Sequence, residues 1–139
     1  MRRCGADIPY VRKIFRDDMD SYRAKASIIS NAEVYRQQFA IARGQNLRVD
    51  SPTIIGAQAA NELLDIEGIR ASFVLTVYQG RIYVSARSID EVNVQIIMER
   101  LGGGGHMNIA GAQLAGVTAE AAKEKLKETL DAMIAEGAI

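Results

Sequence analysis

Gly102, Gly103, Gly104, Gly105 and His106 stand in a row, and they form the constellation whose residue types point most directly to chemistry. Four residues without a Cβ let the backbone come close to a ligand and turn several N–H groups toward an oxyanion, an anion-binding concavity for which phosphate is the natural guest. Ordering four glycines costs more conformational entropy than ordering any other tetrapeptide, so a chain with no use for close approach is expected to carry larger residues here. The run is not a Walker loop, because no Lys-Ser/Thr follows it. Nor is it a dinucleotide fingerprint, because it follows a helical stretch instead of opening a helix after a strand. The competing reading is a helix C-cap continued by a flexible loop, for which one glycine suffices. His106 adds a ring donor beside the glycines, suited to a phosphate or a base.

Other polar residues carry weaker signals. Arg87 and Ser88 close a strand-like run, where a guanidinium can pair with a phosphate through two parallel hydrogen bonds; spacing alone leaves a solvated arginine equally open. Asp17, Asp18 and Asp20 suggest a metal cluster at first sight, but helix geometry sets Asp17 and Asp20 on one side and Asp18 apart, so a solvated helix start is favoured. Tyr22, Tyr35, Tyr78 and Tyr83 have the rings to stack on bases, and core or sheet packing explains them as well. The single cysteine, Cys4, has no partner for an internal disulfide, and Cys4 with His106 cannot assemble a zinc site. Hydrolases built on two metals or on a Cys/Ser–His pair usually spend several histidines on ligation or proton transfer, and this sequence has one.

These residues sit in a chain of 139 amino acids, the size of one domain or of a domain with a connecting segment. Hydrophobic residues at 48% and charged residues at 24% match an ordinary globular average and exclude disorder, collagen-like repeats and mucin-like stalks. Basic and acidic side chains number 17 each, which removes the electrostatic reason for broad, sequence-independent binding to nucleic acid or anionic membrane. Residues 1 to 50 carry 10 basic and 6 acidic side chains and residues 51 to 139 carry 7 and 11, so the first third is basic and the rest acidic. The cysteine usage fits a reducing, cytoplasmic setting. No apolar run approaches the roughly 20 residues of a membrane span, and the residues after Met1 lack the apolar core of a secretory signal, so no direct membrane contact is expected.

The elements that must position the candidate residues follow from periodicity. Val11, Ile14, Phe15, Met19, Tyr22, Ala26 and Ile29 recur at helical spacing from Asp7 to about Ser30, as one long helix or two joined ones, with Asp17 or Asp18 able to cap the second. Val34 to Arg43 reads as a strand. Asp50, Ser51 and Pro52 mark a helix start, continued by Ile55, Ala59, Leu63 and Ile66 and stopped by Gly68. Ile69 to Tyr78 and Arg81 to Arg87, joined by Gln79 and Gly80, predict a hairpin. Ser88 or Asp90 is expected to cap a helix bearing Val94, Ile97, Met98 and Leu101, and Gly102 to end it. Ala110 to Gly116 fits a short strand, and Thr118 caps a last helix with Ala119, Ala122, Leu126, Leu130 and Met133 as its buried stripe. The order predicts an α/β fold, a small mixed β-sheet with helices packed on it, preceded by a helical linker.

The run S-A-R-S (Ser85 to Ser88), followed by V-N-V-Q-I-I-M-E-R-L-G-G-G-G-H (Val92 to His106), resembles the DHH-associated domain of the DHH-family phosphoesterases. Within that family it is most similar to the C-terminal end of the membrane-bound cyclic di-AMP phosphodiesterases. R-R-C-G-A-D (Arg2 to Asp7) and F-R-D-D-M-D-S-Y-R-A-K (Phe15 to Lys25) look like the join between catalytic and associated domains in that group. There, a DHH domain holds two manganese ions with aspartates and histidines, and the associated domain closes over the substrate with its glycine-histidine loop. This chain has no D-H-H tripeptide. The resemblance therefore implies a helical linker over residues 1–31 and a substrate-binding domain over 32–139, separated from the DHH catalytic domain that is its partner.

It further implies that Arg87 and Ser88 contact substrate phosphate, that Gly103, Gly104, Gly105 and His106 form the phosphate- and nucleotide-binding loop, and that Asn93 is a lesser candidate. The implied ligand is cyclic di-AMP or a linear adenine dinucleotide. No cofactor is expected in this chain, manganese being expected in the catalytic domain, and the chain alone is expected to be inactive. Relatives in the group are membrane-anchored with this domain in the cytosol. Beyond His106 the run M-N-I-A-G-A-Q departs from the broader superfamily, where a proline and a differently spaced A-A-G stand, and so carries no assigned role. The same fold also accompanies exonucleases and alanyl-tRNA synthetase. Two rival readings follow, an RNA-binding module, which the zero net charge disfavours, and a structural domain that forms homodimers through sheet edges or its first helix.

Overall fold

A computed structural model describes residues 18–139. In chain order the described elements are α1 (Met19–Ser30), β1 (Glu33–Tyr35), β2 (Phe39–Gly44), α2 (Pro52–Leu63), β3 (Ala71–Tyr78), β4 (Arg81–Ser88), α3 (Val94–Arg100), β5 (Gly104–Gly105), β6 (Ile109–Ala115) and α4 (Ala119–Glu136). The predicted α/β architecture is present: the strands form one mixed sheet in the order β1-β2-β3-β4-β6-β5, with helices on it and α1 leading in. β2 and β3 pair in parallel and every other neighbouring pair is antiparallel. A parallel pair needs a crossover, and α2 provides it.

The hairpin forms where β-branched runs flank Gln79 and Gly80, whose φ values of 51° and 76° make the mirror-image turn that matches strand twist. The single strand expected from Val34 to Arg43 is instead two. Arg36 and Gln37 take φ of 55° and 63°, Gln38 N–H donates to Tyr35 O at 3.3 Å, and the chain reverses so that Tyr35 pairs with Phe39. A turn of this kind usually carries Asn or Gly, so nothing in the residue types announced it. The expected helix break falls in described residues only from Asp18, which caps α1 by accepting from Ser21 N–H at 2.7 Å; the stretch from Asp7 to Asp17 lies outside them. Ala24 and Ile28 of α1 are buried in the core, so the described part of the expected linker is packed against the sheet.

Two corrections concern helix ends. The N-cap of α3 is Asn93, not Ser88 or Asp90: its side chain accepts from Gln95 and Ile96 N–H. Asp90 lies in the preceding turn with φ of 57°. α2 ends at Leu63, before Ile66, which is exposed. Thr118 does cap α4, accepting from Ala121 N–H at 3.0 Å, and all five predicted stripe residues are buried.

Each face of the sheet packs differently. α3 and α4 cover one face from β2 to β6, around Phe73, Leu75, Ile97, Leu126 and Leu130. α1 and α2 cover the other face over β2 and β3, around Ile28, Ala42, Ala59, Leu63 and Val74. α2 lies so close to β3 that a Cβ on Gly56 would stand 2.3 Å from Thr76 Oγ1. β3 is therefore buried on both sides, whereas β4 alternates buried and accessible residues. Burying a side chain such as Leu126 or Leu130 stabilises the fold by roughly 1.5–3 kcal/mol.

Candidate functional site

Directly opposed residues on neighbouring strands point to the same face. Val74 belongs to the α2 side of the sheet and pairs with Ser85. Arg81, Tyr83, Ser85 and Arg87 therefore all face the α2 side, where Tyr83, Ser85 and Arg87 remain partly accessible. Across β4, Tyr83 pairs with Gln113, Ser85 with Gly111 and Arg87 with Ile109. Gly111 pairs in turn with Gly104. The open half of the sheet thus carries three parallel rows: Tyr83–Gln113, Ser85–Gly111–Gly104, and Arg87–Ile109, the last extended by His106, whose N–H donates to Ile109 O at 2.7 Å. A cavity of about 500 Å³ opens over Tyr83, Gln113, Ser85 and Gly111, with Thr53 of α2 and Gly103 on its walls.

The glycine run serves three separate ends. Gly102, with φ of 87°, closes α3: its N–H donates to Glu99 O at 3.1 Å and that of Gly103 to Met98 O at 2.8 Å, the double bond of a Schellman cap. Gly103 and Gly105 then lie against β6. A Cβ on Gly103 would stand 2.0 Å from Gly111 O, and one on Gly105 would stand 2.5 Å from Ala110 Cα. Gly104 differs from both, because a Cβ there would meet nothing within 4 Å and its φ is not in the left-handed region. The expected nest of N–H groups across the whole run does not form, since those of Gly102, Gly103 and His106 are engaged by helix end and hairpin. What remains is a glycine edge strand whose Gly104 faces open space.

Arg87 is partly buried, and Nη1 donates to the Ala86 carbonyl at 2.9 Å. No carboxylate pairs with it among the described residues, and desolvation holds its pKa below the usual arginine value. Arg100 and Lys127 show the opposite: hydrogen bonds to Glu136 and Glu33 raise theirs. Arg87 is thus a half-buried cation with no carboxylate partner among the described residues.

The structure does not bring Ser88 to this face. Its hydroxyl is buried, donates to Val92 O at 2.6 Å and accepts from Asn108 Nδ2 at 2.9 Å, and its N–H donates to Asn108 O. It ties the end of β4 to the hairpin that carries His106. Asn93 is likewise engaged, as the cap of α3. His106 is exposed and its ring makes no hydrogen bond with described residues. Sequence reasoning singled out neither Gln113 nor Thr53, and left Tyr83 between packing and stacking; the period-two alternation of β4 and β6 was the signal that could have placed Tyr83 and Gln113 beside Ser85.

Residues 39–136 match the family described as the DHHA1 domain. The chain belongs to the DHHA1 family. The DHHA1 match contains Arg87, the glycine run and His106, and leaves α1 and β1 outside it. Over 133 residues, 95% of the chain, it is 38% identical to cyclic-di-AMP phosphodiesterase PdeA of Listeria monocytogenes serotype 1/2a (strain 10403S). Over 131 residues, 94% of the chain, it is 42% identical to cyclic-di-AMP phosphodiesterase GdpP of Geobacillus thermodenitrificans (strain NG80-2). The chain spans 20% of the length of each. Its fold is that of an exopolyphosphatase-related protein from Bacteroides fragilis, with a TM-score of 0.72 at 22% identity, over 88% of this chain and 38% of that one. Among the described residues of this DHHA1 domain, no three His, Cys, Asp or Glu side chains come together as a metal site. No helix among them is long and apolar enough to cross a membrane.

Proposed function

We propose that this DHHA1 domain is the substrate-handling part of a DHH-type phosphodiesterase and that its ligand is an adenine dinucleotide, cyclic di-AMP or the linear form. The phosphate lies over the Ser85–Gly111–Gly104 row, Arg87 neutralises it from one flank, and His106 donates a hydrogen bond from the hairpin end. Gly103 and Gly105 hold the edge strand against β6 so that Gly104 can be approached closely, and Ser88 positions the hairpin. The observation that carries this reading is the half-buried Arg87 guanidinium, without a carboxylate partner among the described residues, on the same open face as the Ser85–Gly111–Gly104 row, where Gly104 has open space. A charged hydrogen bond aimed where negative charge grows stabilises the transition state of phosphate-ester hydrolysis. The metal chemistry of that hydrolysis belongs to a DHH catalytic domain elsewhere in the full protein, and the domain described here is inactive without it.

The test is an NMR titration of the isotope-labelled chain with cyclic di-AMP. Saturable shifts are expected at the amides of Gly104 and Gly105 and at the His106 ring. Arg87→Ala is expected to weaken binding roughly 10- to 100-fold, the worth of a hydrogen bond to a charged group, and Arg87→Lys to recover part of it, because the ammonium keeps the charge and loses the fork. Shifts absent at millimolar ligand, or an Arg87→Ala chain that binds like the parent, overturn the reading.

A further inference from the structure

The geometry points to Tyr83 and Gln113 as the base-reading end of the site, selecting adenine over guanine; this rests on the dinucleotide reading above. The two residues are register partners on β4 and β6, on the open face, and both line the cavity of about 500 Å³. That volume suits a small-molecule fragment of nucleotide size. Neither the Tyr83 hydroxyl nor the Gln113 amide has a hydrogen-bond partner among the described residues. Tyr78 holds the Tyr83 ring by an aromatic contact, centroids 6.2 Å apart and planes tilted by 52°, and Tyr83 stays partly accessible where it lines the cavity.

Placement along the strand agrees with a nucleotide. Ser85 lies two positions along β4 from Tyr83, about 7 Å of strand, and two positions from Arg87 on the opposite side. A phosphate over Ser85 and Gly111 therefore leaves one sugar's length before a base reaches Tyr83, with Arg87 behind the phosphate. An aromatic face stacks on any base. Discrimination has to come from Gln113, whose side chain offers both a donor and an acceptor. Adenine presents a matching N6 donor beside its N7 acceptor, which an amide can bind at two points. Guanine presents O6 and N7, two acceptors, and leaves the amide oxygen facing a lone pair.

The experiment titrates the labelled chain with linear adenine and linear guanine dinucleotides, each carrying the same phosphates. The parent is expected to bind the adenine form about tenfold more tightly. Gln113→Leu, a change at an exposed position, is expected to bring the two affinities within about twofold. Tyr83→Leu is expected to weaken both by about tenfold while keeping their ratio. A Gln113→Leu chain that keeps the parent's preference overturns the assignment of Gln113, and it does so even if Tyr83→Leu fails to fold. Shifts confined to Gly104, Gly105 and Arg87, with both variants binding like the parent, overturn the base site and leave the phosphate reading standing. No shift with either dinucleotide removes both.

Discussion

The corner where β1 meets α4 and the open face of β4, β6 and β5 both bring long polar side chains onto a sheet, and they treat charge in opposite ways. At the corner the charges are matched. Glu33 accepts from Lys123 at 2.8 Å and Lys127 at 3.0 Å, Asp131 accepts from the Tyr35 hydroxyl at 2.8 Å, and Arg36 closes on Asp131 at 2.9 Å. Lys127 also stands 5.2 Å from the centre of the Tyr35 ring. On the open face Arg87 has a neutral carbonyl, and Tyr83, Gln113 and the His106 ring have no hydrogen-bond partner among the described residues. A charge matched inside the chain holds two elements together. A partly desolvated charge without a match costs stability, and the function proposed above gives it a match in a ligand phosphate.

The glycines of the open face break or sharpen that contrast most strongly. Gly103→Ala forces a Cβ into the Gly111 carbonyl and is expected to cost about 3 kcal/mol, the upper range for overpacking. Thermal unfolding should then move down by about 10 °C. Gly104→Ala has open space, and its melting temperature should stay within about 2 °C of the parent, or rise slightly because alanine restricts the unfolded chain. The same Gly104→Ala chain should lose cyclic di-AMP binding in the titration. If it binds like the parent, the open face owes nothing to close approach and the contrast with the corner loses its functional meaning.

Ser88 offers the next largest effect, and it separates support from contact. Removing its hydroxyl takes the donor from the carbonyl of buried Val92 and leaves Asn108 Nδ2 only Asp90 O at 3.4 Å, so Ser88→Ala is expected to destabilise the domain by about 2 kcal/mol in denaturant unfolding. Because that hydroxyl lies away from the ligand face, the saturated complex of Ser88→Ala should keep the parent's shifts at Gly104. A large stability-neutral loss of affinity in Ser88→Ala would instead return Ser88 to the phosphate.

How much of this was legible beforehand depended on how local the cause was. The β3–β4 hairpin and the buried stripe of α4 could be read because period-two and period-3.6 patterns and a Gln-Gly turn lie within a few residues of each other. The turn at Arg36 and Gln37 could not, since neither residue type favours positive φ and the reversal is stabilised by packing of β1 beside α4. The glycine run stands out in the sequence, but its division of labour depends on β6, which begins four residues after Gly105 and fixes which glycines touch backbone and which has open space. Arg87 was ambiguous in the sequence between solvent and phosphate. What the structure adds is non-local: Arg87 is half-buried, its Nη1 donates to the Ala86 carbonyl, and it has no carboxylate partner among the described residues.

The smallest effect tests the matched corner through pH. Hydrogen bonds from Lys123 and Lys127 lower the Glu33 pKa from its ordinary 4.5. The folded state therefore holds the ionised carboxylate more firmly than the unfolded chain does, and the unfolded chain binds more protons in acid. The contribution is fully present above about pH 4.5 and is lost as pH falls through the lower, folded value. With Glu33 40% exposed and the two lysines 21% and 19% exposed, solvent screening leaves about 0.5 kcal/mol at neutral pH. Glu33→Gln should consequently melt slightly lower than the parent at pH 7, and the two curves should converge as pH falls through that window. Raised salt should narrow the gap at pH 7 as well. A gap that persists unchanged at pH 3 would mean that Glu33 holds β1 to α4 by packing rather than charge, and the corner would then no longer be the electrostatic counterpart of the open face.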